Sequence, residues 1–197
     1  MYFLDSKNIS HAKITLLLIL VNIFFFVAFN LILNPKYQRS LILYNTEVIE
    51  HLECWRLFTS LFIHMDVLHL CSNLIALFIF GVAVENKFRR DQYIIIYIIS
   101  GFIGNFFSLI LLPLNAIILG ASGAVFGLIG ASFVLYWKEG DKALLILGLL
   151  YLIYFIIASL TPNTNLWAHL FGLIGGILFG KMFYQEKKIS NSDYNYD

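Results

Sequence analysis

The chain has 197 residues, of which 60% are hydrophobic and 13% charged, with a formal net charge of +1 and a mean hydropathy of +0.82. A soluble domain carries about 25% charged residues, so this composition excludes an ordinary water-soluble fold and points to a membrane protein. The near-neutral balance leaves no basic face for phosphates, which excludes nucleic acid as a partner.

Six apolar stretches predict membrane helices, at about 14–33, 61–84, 93–114, 121–137, 143–160 and 167–184; a spanning helix needs roughly 17–25 apolar residues. The first stretch is too long for a signal-peptide core and has no small-residue cleavage site, so no cleavable leader is expected. The piece between the first two spans, about 34–60, holds Glu47, Glu50, Glu53, Trp55 and Arg56 and reads as a long loop partly seated in the interface. Connections 85–92 and 138–142 are short and charged, and the tail from about 187 to 197 is polar. Ten of the Lys and Arg residues fall in the N-terminal segment, the second and fourth connections and the C-terminal segment; only Lys36, Arg39 and Arg56 fall on the other side. The positive-inside rule then puts both termini in the cytoplasm. The expectation is an all-α polytopic membrane protein, one domain over 1–197, with no internal repeat to suggest an inverted-repeat transporter. Cys54 and Cys71 have neither CxxC nor metal-ligand spacing and read as free thiols.

Polar residues inside these spans are the functional candidates, because an unpartnered polar group in hydrocarbon is costly. The second span contains His64, His69 and Asn73. His69 and Asn73 are four residues apart on one helical face and can both donate hydrogen bonds without a fixed charge; His64 is expected to point elsewhere. The fourth span opens with Gly120-Ala121-Ser122-Gly123. At about seventeen residues it is shorter than the hydrocarbon core, roughly 25 Å against 30 Å, so Ser122 is expected at a submerged helix N-terminus on the floor of a wet, outward-opening pocket. The sixth span carries His169, with Gly172, Gly176 and Gly180 on the same face, opposite Gly123, Gly127 and Ala131 of the fourth. Docking these small-residue faces would bring an imidazole to a hydroxyl, the minimum for an activated oxygen nucleophile.

Each signal also has a plain structural reading. Glycines in GASG can be packing residues, a lone histidine can be a structural hydrogen-bonding group, and His69 with Asn73 can tie helices together. Their convergence near one membrane face favours chemistry. A zinc site from His64, His69 and His169 is disfavoured because there is no HExxH and a five-residue step turns two helical side chains roughly 140° apart. A proton-coupled transporter is disfavoured because the last four spans contain no acidic residue.

Taken together, Trp55-Arg56, His64-x4-His69-x3-Asn73, Gly81-x3-Glu85, Gly120-x-Ser122-Gly123 and Ala168-His169-x2-Gly172-x3-Gly176 resemble the rhomboid family of intramembrane serine proteases, in its minimal six-helix bacterial form. The resemblance implies a rhomboid-like bundle in which Ser122 is the nucleophile and His169 the general base and then acid. His69, Asn73 and the Ser122 backbone N–H would hold the oxyanion, with no cofactor and no metal. It further implies single-span membrane-protein substrates entering between the second and fifth spans, an interfacial loop containing Trp55 and Arg56 and supported by His64, and a cap over the site from Leu160 to Leu166. Many relatives have tyrosine where this chain has Phe126; ring stacking on His169 should survive without the hydroxyl. No carboxylate is placed as a third catalytic member, so slow turnover is expected. A bacterial cytoplasmic membrane is the expected location, as the chain lacks an organelle-targeting extension. The alternative is an inactive rhomboid-like factor that binds membrane proteins. The pattern carries no signal for an oligomeric state.

Overall fold

A computed structural model of the protein describes residues 5–159 and 164–192. Its elements are α1 (Ser6–His11), α2 (Lys13–Val27), α3 (Pro35–Leu41), β1 (Leu43–Tyr44), α4 (Asn45–His51), α5 (Arg56–Thr59), α6 (Val67–Glu85), α7 (Arg90–Leu111), β2 (Ile117–Ile118), α8 (Ser122–Glu139), α9 (Lys142–Ser159) and α10 (Leu166–Ser192). A π-helical turn, Ala28–Ile32, continues α2, and a 3-10 turn, Ser60–Phe62, follows α5. Among the described residues, four helical segments are long and apolar enough to cross a membrane: Lys13–Ile32, Val67–Glu85, Arg90–Leu111 and Leu166–Tyr184. The molecule is therefore an all-helical membrane bundle, apart from one two-residue antiparallel ladder that pairs Leu43 with Ile118 and Tyr44 with Ile117.

Two expectations about the segment before α6 need correction. The stretch 34–60 is folded: it holds α3, β1, α4 and α5, started by Asn34, whose side chain caps Pro35–Leu41. The second span begins at Val67 rather than at 61, because Asp66 is a helix-initiating residue whose Oδ1 accepts the His69 N–H at 2.8 Å. Apolar residues before Asp66 made the span look longer than it is.

α8 is the central helix. Fourteen of its eighteen residues are buried, and it packs against α6, α7, α9 and α10. Its contact with α10 is backbone against backbone. A methyl group at Gly172 would overlap the Gly123 carbonyl oxygen, one at Gly176 would overlap that of Gly127, and one at Gly180 would lie 2.9 Å from the Ala131 Cα. These are the paired faces expected from the spacing, and small residues are what permit such an approach. α7 closes the third side, with Gly104 against the Ala168 backbone and Gly101 against Leu61 and Ala124.

At the far end from Ser122, Glu85 fixes α2 to the bundle. Its carboxylate accepts the backbone N–H groups of Ile14 and Thr15 at 2.8 and 2.7 Å and the Thr15 hydroxyl at 2.8 Å. These N–H groups belong to the first turn of α2, which has no carbonyl partners for them, so a carboxylate from another helix serves as its cap. Gly81 leaves room for Thr15 beside it.

If the α8–α10 seam is set by main-chain contact, Gly176→Val should lower the unfolding midpoint in detergent by an overpacking cost of about 1–3 kcal/mol or more. Leu178→Ala, at a position 60% exposed on the same helix, should change stability by less than about 0.5 kcal/mol.

Candidate active site

The polar residues singled out from the sequence converge at the start of α8. Gly120 has φ +120°, a conformation open to glycine, and it turns the chain from β2 into the helix. Its N–H donates to the Ser60 carbonyl at 2.9 Å. A methyl group at Gly120 would lie 2.6 Å from Cε1 and 2.8 Å from Nε2 of His69, so the missing side chain also makes space for that imidazole. Ser122 follows as the first residue of α8, where the first-turn N–H groups have no partners within the helix.

His169 reaches the same level from α10. The Phe126 ring, one turn beyond Ser122, stacks on the imidazole with centroids 4.5 Å apart and planes 10° apart. The Ala168 carbonyl oxygen lies 3.4 Å from where a Cβ on Gly123 would be. The seam that holds α8 to α10 thus begins beside both residues. Phenylalanine supplies the stacking expected of it.

Asn73 is buried one turn along α6 from His69; its Nδ2 donates to the His69 carbonyl at 2.9 Å, while its Oδ1 is buried without a partner. One Nδ2 hydrogen remains for a ligand.

His64 does not point away from this cluster. It lies before α6, outside any helix, so helical spacing does not govern its direction. Its ring is 5.0 Å from that of His69, edge to face, and its Nε2 accepts the Ala121 N–H at 3.4 Å. A five-residue helical step therefore does not set the separation of these two rings. Access to the site is narrower than the expected open pocket. Ser122 is 7% exposed and His169 5%, deeper than an open basin would leave them. The expected cap, Leu160 to Leu166, falls largely on 160–163, outside the described residues.

Trp55 and Arg56 organise the segment that leads to this turn. Arg56 is buried, with Nη1 donating to the carbonyls of Ile42 (2.7 Å) and Arg39 and the guanidinium paired with Glu53. Trp55 Nε1 donates to Ser40 O at 3.2 Å. The guanidinium's rigid fork can take several acceptors at once, so one side chain gathers α3, the chain entering β1 and α5.

Sequence reasoning passed over a second tier of polar residues. Asn105 on α7 donates to the Leu57 carbonyl at 2.9 Å and the Ser60 hydroxyl at 3.0 Å, and so fixes the residue whose carbonyl holds Gly120. Asn165 caps α10: its Oδ1 accepts the Ala168 N–H at 3.1 Å, and its Nδ2 donates to Ser108 Oγ on α7 at 2.9 Å. Polar residues in an otherwise apolar third span were the available signal.

The arrangement offers a hydroxyl at a helix N-terminus, an imidazole oriented by an aromatic ring, and hydrogen-bond donors from His69 and Asn73. It is suited to attack on a carbonyl with the developing oxyanion met by polarised N–H groups.

Residues 51–186 match the Rhomboid domain family. The candidate rhomboid protease YdcA of Bacillus subtilis strain 168 is 34% identical over 140 residues, covering 69% of this chain and 70% of YdcA. RHOMBOID-like protein 1 of Arabidopsis thaliana is 35% identical over 141 residues, covering 69% of this chain and 36% of that protein. Rhomboid protease GluP of Bacillus subtilis is 32% identical over 128 residues, 63% of this chain and 25% of GluP. The match thus spans most of YdcA but well under half of the two longer relatives.

Replacing Phe126 by leucine keeps an apolar group but removes the stacked plane. An aromatic contact of this kind is worth about 0.5–1.5 kcal/mol. Labelling of Ser122 by a serine-directed electrophile should slow by about two- to tenfold in Phe126→Leu and stay near the parent rate in Phe126→Tyr.

Proposed function

The chain belongs to the rhomboid family, and from that premise we propose that it is an intramembrane serine endopeptidase that hydrolyses a peptide bond in or beside the transmembrane segment of single-span membrane proteins. The observation that supports this reading is the His169 ring stacked on Phe126, one turn from Ser122, with the His69 ring over Gly120 just before Ser122 and Asn73 bonded to the His69 carbonyl.

In this reading Ser122 Oγ attacks the scissile carbonyl carbon while His169 takes its proton. The negative charge on the former carbonyl oxygen is met by the Ser122 backbone N–H, His69 and Asn73 Nδ2. His169 then returns the proton to the leaving amine, and water hydrolyses the acyl-enzyme through the same base. Phe126 keeps the imidazole in plane for both transfers, and His64 supports the turn by accepting from Ala121. The mechanism uses no cofactor and no metal ion.

The bundle crosses the membrane six times in this proposal, with α8 and α9 completing the set and both termini in the cytoplasm; the lysine and arginine asymmetry supports that orientation. The bilayer is a bacterial cytoplasmic membrane. Substrate enters between α6 and α9, whose contact includes Tyr151 Oη donating to the Ser72 carbonyl at 3.1 Å and the Tyr151 ring against Phe80. Entry by that route parts those contacts and opens the buried serine.

Cleavage of a model single-span substrate in liposomes tests the proposal. Ser122→Ala and His169→Ala should each abolish it, and cleavage surviving in either variant would sink the Ser-His pair. Loss of cleavage on adding a chelator would instead favour a metal enzyme. Binding of the substrate with no cleavage by the unmodified protein would favour an inactive membrane-protein-binding factor.

The oxyanion assignment has its own check. An isocoumarin should label Ser122, and His69→Ala with Asn73→Ala should slow that labelling by about two to three orders of magnitude, the usual effect of losing such donors. Unchanged labelling would remove both residues from the oxyanion site.

A further inference from the structure

The end of the bundle remote from the serine holds a second feature. There α8, α9 and α10 enclose a groove of about 460 Å³ walled by Phe133, Val134, Leu145 and Ile177, with Trp137, Lys138 and Lys181 completing its lining. Lys138 is sixteen residues along α8 from Ser122, roughly 24 Å at the helical rise, so the groove is no part of the active site.

Its polar groups are of one sign. Both lysines are exposed, and among the described residues no carboxylate lines the groove. The two acids next in sequence are engaged elsewhere: Glu139 pairs with Lys87 at 3.0 Å, and Asp141 Oδ1 accepts the Leu144 N–H at 3.1 Å at the start of α9. Among the described residues neither Lys138 nor Lys181 has a carboxylate partner. Trp137, 72% exposed beside them, is the kind of amphipathic side chain that settles at headgroup level. The lining therefore runs from two ammonium groups and an indole to an apolar wall, in the order of a lipid's own headgroup and acyl chain. A zwitterionic headgroup sets a further cation beside these two, whereas an anionic headgroup brings the phosphodiester's negative charge with no cation attached.

We propose that this groove binds one anionic phospholipid, with its phosphodiester on Lys138 and Lys181 and an acyl chain along Phe133 and Ile177. The site lies in the leaflet opposite Ser122. It braces the seam of α8 and α10 against the first turns of α9, the helix that borders the proposed substrate route.

The test is native mass spectrometry of the full chain in detergent with equal amounts of phosphatidylglycerol and phosphatidylcholine. The unmodified protein should keep one phosphatidylglycerol in preference. Lys138→Gln with Lys181→Gln should cut that preference by roughly thirtyfold, the size expected when two headgroup-level lysines are lost. Lys7→Gln with Lys13→Gln, which removes the same charge from the same end of the bundle, should leave it unchanged. Ile177→Trp, which fills the groove but keeps both lysines, should also reduce it. An equal fall in both lysine pairs, an unchanged preference in the groove pair or in Ile177→Trp, or no preference in the unmodified protein would each overturn the proposal. None of these readings depends on proteolysis.

Discussion

The architecture depends on two helices approaching to backbone contact. Where α8 meets α10, glycines face carbonyl groups with no room for a methyl group between them. In a membrane, lipid tails are as apolar as leucine, so helices gain little by hiding apolar side chains from them; close packing must supply the attraction. The same contact sets the distance between the residue that opens α8 and the imidazole that α10 carries. Stability and site geometry are therefore one constraint, imposed by main chain rather than by interlocking side chains.

The serine turn is held from the opposite side by a different set of forces. Ser60, fixed by Asn105, takes the Gly120 N–H; His64 takes the Ala121 N–H; and His69 occupies the space over Gly120. Three consecutive parts of the chain, one 3-10 turn, one non-helical piece and one helical turn, thus converge on two peptide groups. This explains why the stretch 34–60 must fold rather than hang as a loop. Arg56, by gathering the carbonyls of Arg39 and Ile42, ties that stretch to the chain that presents Ser60 and His64.

What could be read from the sequence follows from which signals are local. Runs of apolar residues located the helices, and the four-residue spacing of Gly172, Gly176 and Gly180 indicated which face of α10 meets α8, because both depend only on helical geometry. Ser122, His169, His69 and Asn73 stood out because polar groups are rare in such runs. The start of α6 was misplaced because hydropathy averages across Asp66, whereas a cap acts through one carboxylate oxygen. The direction of His64 was misjudged for the same reason: a helical wheel was applied to a residue outside the helix. The burial of Ser122 and the roles of Asn105 and Asn165 come from contacts between distant segments, which no local pattern encodes. Arg56 was noticed only as half of a dipeptide, since its acceptors are carbonyl groups common to every residue.

The short ladder between β1 and β2 ends two residues before Gly120, and Asn45 and Thr46 add hydrogen bonds to the carbonyls of Pro113, Leu114 and Ala116. The connection into the serine turn is thus sewn to the segment 34–60 along its whole length, by these hydrogen bonds and by a small buried cluster of Leu43, Val48, Leu57 and Ile118, separate from the larger cluster that holds the helices together. Regions of a protein open with different free energies, and a small satellite cluster opens before the main core. Mild heating or denaturant should therefore unfasten the turn while the bundle persists, giving a state with its long helices intact and Ser122 displaced: for the proposed enzyme, inactivation without unfolding.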